Sequence, residues 1–147
     1  MILRMTSMGE KEGIKFSYGG LVGNSLDFCR LIRLAGTFSQ ECKQKVVEHL
    51  LSAFFEHEKN IADVKTLVEA ANAGGINASL VRKEIYGGWF FTGGKLMLKE
   101  TLDAVEMAKE RGIMAVPHFT INGIAIGGAQ DSQVFERLFE KQYQNQL

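Results

Sequence analysis

The side chains best suited to chemistry in this sequence are two cysteines and three histidines. Cys29 and Cys42 are thirteen positions apart, which is neither the CxxC spacing of a redox pair nor a zinc-ligand spacing. Both fall in segments of helical apolar periodicity, so we expect reduced core thiols, without a neighbouring cation that would favour the thiolate. His49 and His57 share one predicted helix and have no further ligand near them in sequence, which disfavours a metal site. These residues therefore predict no catalytic residue, no metal and no cofactor.

The single proline marks a second candidate position. Pro117 directly precedes a β-rich run from His118 to Asn122, and Asn122-Gly123 separates that run from Ile124 to Ile126. An Asn-Gly pair between two such runs is the strongest short-range signal for a β-hairpin. Proline is accepted at the first position of a strand, where a cis bond would turn the preceding backbone groups towards an extended ligand. Spacing alone favours the trans isomer, because only about 5–6% of X-Pro bonds in folded proteins are cis.

Amphipathic helices account for most of the chain around these residues. Asn24 is a plausible N-cap for a helix that ends at Gly36. We expect further helices from Ser39 to about His57–Asn60, from Asp63 to Gly74, from Ser79 to Ile85, from Leu98 to Lys109 and from Ser132 onwards. A polar leader and a short extended segment, Ile14 to Tyr18, precede them, and Tyr86 to Gly94 is predicted to be a loop.

Composition limits the class of protein. At 147 residues the chain is predicted to form one domain over 1–147. Its 17 basic and 17 acidic residues balance, so the charge indicates neither a nucleic-acid nor a membrane partner. Two cysteines are too few for a secreted disulfide framework, and with no convincing leader we expect a cytoplasmic protein.

A resemblance adds a specific fold. The run Gly112-Ile-Met-Ala-Val-Pro-His-Phe-Thr-Ile-Asn-Gly123, followed by Gly127-Gly-Ala-Gln130, resembles the C-terminal half of DsbA-like thioredoxin-fold oxidoreductases of the FrnE type. The run Gly23-Asn-Ser-Leu-Asp-Phe-Cys-Arg-Leu-Ile32 is similar to a helix start in that family. The resemblance covers about residues 13–139, and it changes the expectation for Val116–Pro117 to a cis bond.

The resemblance implies an α+β, partial thioredoxin-like fold. A helical insertion would cover about 24–111, and a cis-proline hairpin with a last helix would cover about 116–143. The implied activity is thiol-disulfide oxidoreduction, in which Val116, Pro117 and Asn24 would contact a thiol or disulfide substrate.

The sequence also departs from the family. It has no CxxC, and Cys29 occupies the place of the family's helix histidine. We therefore expect a truncated or inactive member without the N-terminal strands, whose exposed hairpin forms homo-oligomers. Two alternatives stay open: a relative of the glutathione-dependent kappa-class transferases and isomerases, and a non-catalytic helical module that binds a partner through the hairpin or through Trp89-Phe90-Phe91.

Overall fold

The computed structural model describes residues 2–85 and 95–144, so the predicted loop Tyr86 to Gly94 lies outside the described residues. The described elements follow one another in the order α1 (Ile2–Lys11), α2 (Leu26–Phe38), α3 (Gln40–Phe55), α4 (Val64–Ala73), α5 (Ala78–Glu84), α6 (Leu98–Glu110), β1 (His118–Ile121), β2 (Ile124–Gly127) and α7 (Ser132–Gln144). The predicted helix-dominated α+β fold with an antiparallel hairpin is confirmed. The chain divides into two compact units, Met1–Leu102 and Asp103–Leu147. One domain over 1–147 stays a prediction, because two compact units can belong to one domain.

Local capping sets several of these boundaries. Ser39 has an extended backbone and its hydroxyl accepts a hydrogen bond from the Cys42 N–H at 3.0 Å, which starts α3 where the sequence predicted. Asn77 caps α5 in the same way through the Ser79 N–H. Gly75, at φ 80°, ends α4 by a left-handed turn that glycine adopts without steric cost.

Three features of the helices differ from the sequence analysis. The polar leader, for which no helix was predicted, forms α1, and α2 does not stop at Gly36 but continues to Phe38. An isolated glycine only weakens a helix, so the extended Ser39, not Gly36, ends α2. The third difference is that α3 ends at Phe55, before the predicted His57–Asn60.

The first unit has a closed hydrophobic core. Its largest fully buried side chains come from α2, α3, α4 and α5: Leu31, Val46, Leu50, Leu67 and Val81. Full burial stabilises each by roughly 1.5–3 kcal/mol relative to exposure. These four helices therefore form a stable body that can hold neighbouring segments in place.

A glycine-rich segment from Ser17 to Gly23 is held against the loop after α3. The Glu58 carboxylate accepts hydrogen bonds from the Ser17 hydroxyl and from the Gly19 N–H. A Cβ on Gly20 would lie 2.8 Å from the Glu58 carbonyl oxygen, and one on Gly23 would lie 2.3 Å from Asn60 Oδ1. This close approach requires glycine, and it determines where the chain enters α2.

The second unit contains the hairpin. His118 pairs with Gly127 and Ile121 pairs with Ile124, and the turn residues Asn122 and Gly123 have φ values of 48° and 81°. This is the two-residue turn with both φ values positive that the Asn-Gly signal predicted. The ring of Phe119 packs edge-on against the ring of Phe135 in α7, with 5.0 Å between the ring centroids. None of the described residues of this unit, 103–144, is buried.

In the described part of the chain, no helix has both the length and the apolar character needed to cross a bilayer.

Candidate functional site

The segment before β1 holds two of the predicted site residues. The Val116–Pro117 peptide bond is cis, the isomer expected from the resemblance. The Pro117 carbonyl accepts a hydrogen bond from the Gly128 N–H at 2.9 Å, which extends the hairpin pairing by one step. The Val116 side chain is 87% exposed. Within its unit, this segment is therefore open to a ligand.

The backbone of β1 offers hydrogen-bonding groups on its outer edge. In an antiparallel pair, residues alternate between those bonded to the partner strand and those directed away from it. Pro117 is bonded across to Gly128, and the same parity gives Phe119–Ile126 and Ile121–Ile124 as the bonded pairs. The N–H and C=O groups of His118 and Thr120 consequently point away from β2. Since the described sheet has two strands, this edge can accept an extended chain.

Asn24 has a local structural role. Its Oδ1 accepts a hydrogen bond from the Leu26 N–H at 2.8 Å, and the residue itself is exposed. The position before α2 is occupied by Ser25, so Asn24 stabilises the turn into the helix and is not its N-cap as predicted. Asn24 lies in the first unit, whereas Val116 and Pro117 lie in the second.

The two cysteines differ in environment. Cys42 is buried as predicted, but Cys29 is exposed, and neither forms a disulfide. Cys29 lines an open cavity of 500 Å³ together with Arg33 and Lys43. Neighbouring atoms partly desolvate its thiol, and this burial raises the pKa of Cys29, while the charge of Arg33 one turn further acts in the opposite direction. The prediction of two core thiols without a nearby cation was therefore wrong for Cys29, because its helix face lies outside the core.

The sequence analysis missed the role of Arg30. This arginine is only 4% exposed, and it donates hydrogen bonds to Asp27 Oδ1 at 2.7 Å, to the Ile85 carbonyl at 3.1 Å and to the Leu96 carbonyl at 2.9 Å. The last two partners lie 55 and 66 positions away in sequence, so local periodicity gives no signal for them. Arg30 thus ties Ile85, directly after α5, and Leu96, shortly before α6, to α2.

The histidines are not brought together with further ligands. His49 and His57 both line a cavity of 290 Å³ beside Lys59. In residues 2–85 and 95–144, no group of three or more His, Cys, Asp or Glu side chains is close enough to hold a metal ion. His118, on β1, is partly buried.

Comparison with known proteins places this architecture in a family. No curated protein matches the chain significantly. The family model of the DSBA-like thioredoxin domain matches residues 1–140, which include α1, a region outside the resemblance seen in the sequence. The chain therefore belongs to the DSBA-like thioredoxin domain family, a family of the thiol-disulfide oxidoreductase type.

Proposed function

We propose that this chain is a FrnE-type member of the family that binds thiol or disulfide substrates but carries no exchanging dithiol of its own. The single observation behind this proposal is the open edge of β1 next to the exposed Val116–Pro117 segment. An extended substrate pairs there with the backbone of His118 and Thr120. The predicted substrate contact at Asn24, which lies in the first unit, stays a separate prediction.

The cysteine environments support a binding role over a catalytic one. Thiol-disulfide exchange requires a thiolate that is both accessible and stabilised. Cys42 is buried, and the exposed Cys29 has a raised pKa, so neither meets both conditions. The attacking thiol in this proposal belongs to the substrate or to a second protein. Two unbonded cysteines also agree with a reducing, cytoplasmic location.

Binding is tested with a dye-labelled extended peptide that contains one cysteine held as its mixed disulfide with glutathione. Thr120→Pro removes an outward N–H and leaves the bonds between β1 and β2 intact, because proline is tolerated at an edge whose N–H faces solvent. We expect it to weaken binding about fivefold, equivalent to about 1 kcal/mol for one lost hydrogen bond. Ala125→Pro is the matched control, since Ala125 lies opposite Thr120 and faces the outer edge of β2.

Fluorescence anisotropy measures both variants. Equal affinities for the wild type and the Thr120→Pro variant, or equal losses in the two variants, would overturn the assignment of the β1 edge.

The absence of catalysis is tested by insulin reduction with dithiothreitol. The chain is expected to leave the rate unchanged, and Cys29→Ser and Cys42→Ser are expected to behave like the wild type. An acceleration that either substitution abolishes would show that the chain supplies its own reactive thiol.

A further inference from the structure

An apolar groove of 580 Å³ lies in the first unit. Five of its apolar side chains are 37–43% exposed, although large apolar side chains usually avoid such exposure together. The apolar lining comes from α1, from the extended segment after it and from α3: Met5, Ile14, Phe16, Tyr18, Leu51 and Phe55. The exposed apolar surface indicates an interaction site.

The aromatic side chains give the groove a defined shape. The Phe16 ring packs edge-on against the Phe55 ring, with 5.8 Å between the ring centroids. The centroid of the Tyr18 ring lies 6.1 Å from that of Phe16. Ser17 lies between Phe16 and Tyr18 in the sequence, and its N–H donates a hydrogen bond to the Phe55 carbonyl at 2.7 Å. The groove is therefore preformed and does not have to be created by the ligand.

The charge in the groove has one sign. The charged lining residues are Glu48 and Glu56, both on the α3 side. The Glu48 carboxylate accepts a hydrogen bond from Gln44, and within residues 2–85 and 95–144 neither glutamate forms an ion pair. Eight positions on a helix correspond to about 12 Å, so the two carboxylates are about two turns apart.

From this combination we propose that the groove docks an amphipathic helix of a partner protein, with Lys or Arg along one flank of its apolar face. Basic residues seven or eight positions apart on that helix meet Glu48 and Glu56, and its apolar side chains enter between α1 and α3. A β-strand fits less well, because the N–H groups of Ile14 and Ser17 are already bonded to Gly9 and Phe55. The acidic side also opposes docking on an anionic membrane.

The probe is a dye-labelled helical peptide of leucine and lysine, about 14 residues long, with its leucines on one face. Leu51→Ser is expected to weaken its binding at least about tenfold, because it removes a buried contact. Leu102→Ser is the matched control, since Leu102 is also an exposed helical leucine but lies outside the groove. Equal affinities of these two variants would overturn the proposal.

The charge is tested separately. The double variant Glu48→Gln, Glu56→Gln is expected to weaken binding about fivefold at low salt and to lose most of the salt dependence. Glu100→Gln with Glu110→Gln makes the same change of net charge on α6 and is expected to have no effect. If the acidic analogue of the peptide, with glutamate for every lysine, binds as tightly as the basic one, the proposal is wrong.

The same variants test two other occupants of the groove, a second copy of this chain and an anionic membrane. Sedimentation of the chain alone, as wild type and as Leu51→Ser, is expected to give equal masses. A wild-type dimer that Leu51→Ser dissociates would mean that a second copy fills the groove and would overturn the proposal. Binding of the wild type, but not of Leu51→Ser, to vesicles of anionic phospholipid would overturn it in favour of a membrane surface.

Discussion

The two units of this chain are built in opposite ways. The first encloses its apolar side chains between α2 and α5, with Leu31, Leu50 and Leu67 fully buried. The second has a hairpin of correct local chemistry and an amphipathic α7, yet none of its described residues is buried. The Pro117 segment, where we place substrate binding, belongs to the second unit. The hairpin and the segment before it thus have a defined local geometry although no described residue of their unit is buried.

This difference shows that local sequence and buried apolar area make separate contributions to the structure. The turn at Asn122-Gly123 is encoded by two neighbouring residues, so the register of the hairpin follows from local sequence. Stability comes from buried area, and the first unit has much more of it. The following variants test how far the two units differ.

The largest effect is expected from leucine truncation in the first unit. Leu50→Ala removes a fully buried side chain from the core and should reduce the free energy of unfolding by about 2–5 kcal/mol. Leu138→Ala, on the half-buried face of α7, should cost less than about 1 kcal/mol. Urea titration measures both. Similar losses would mean that the second unit has a core as complete as the first.

The buried arginine should have the next largest effect. Arg30→Met leaves the Ile85 and Leu96 carbonyls and the Asp27 carboxylate without this partner, and we expect a loss of about 2–3 kcal/mol in the free energy of unfolding. Arg33→Met changes the same charge on the exposed face of α2 and should cost less than about 0.5 kcal/mol. If the two variants are equally stable in urea, Arg30 does not anchor α2.

Substitutions of glycine should change the free energy of unfolding by a smaller amount. Gly23→Ala places a Cβ within 2.5 Å of Ala62 Cβ as well as against Asn60, so we expect a loss of about 1–3 kcal/mol. Gly36→Ala is the opposite case. Gly36 lies within α2, and an added Cβ would be 3.5 Å from the Lys43 side chain, an ordinary contact distance. The free energy of unfolding of this variant should therefore rise by about 0.5–1 kcal/mol. A destabilised Gly36→Ala or a neutral Gly23→Ala in thermal unfolding would contradict this fit.

These cases show which features the sequence could predict. The start of α3 near Ser39 and the Asn122-Gly123 turn depend on neighbouring residues, and both were predicted correctly. The Arg30 bonds and the exposure of Cys29 depend on which helix face meets the core, which requires the tertiary structure. Gly36 shows the limit of a local rule, since one glycine does not stop a helix. Within the site, Pro117 was identifiable from its position before a strand.

The open edge of β1 leads to a prediction of self-association. A two-stranded sheet is marginal alone, so we predict concentration-dependent association through β1. Thr120→Lys adds a charge on the outer edge and should lower the association constant about tenfold, whereas Gln133→Lys adds the same charge on α7 and should have little effect. Sedimentation equilibrium at several concentrations measures both variants. A strictly monomeric wild type would show that β1 needs no further strand.

The smallest effect concerns the pH dependence of the Glu58 contact in the first unit. Hydrogen bonds from the Ser17 hydroxyl and the Gly19 N–H stabilise the carboxylate and hold the pKa of Glu58 below its ordinary value of 4.5. The folded state therefore binds this proton less readily than the unfolded state does. The contribution to stability is complete above pH 4.5 and is lost as the pH falls through the lowered pKa. Glu58→Gln should consequently be less stable than the wild type at neutral pH, and this gap in the free energy of unfolding should narrow on acidification to a pH below 4.5. Urea titrations at both pH values measure this gap, and a gap of constant size would show that the ionised carboxylate does not hold the glycine-rich segment in place.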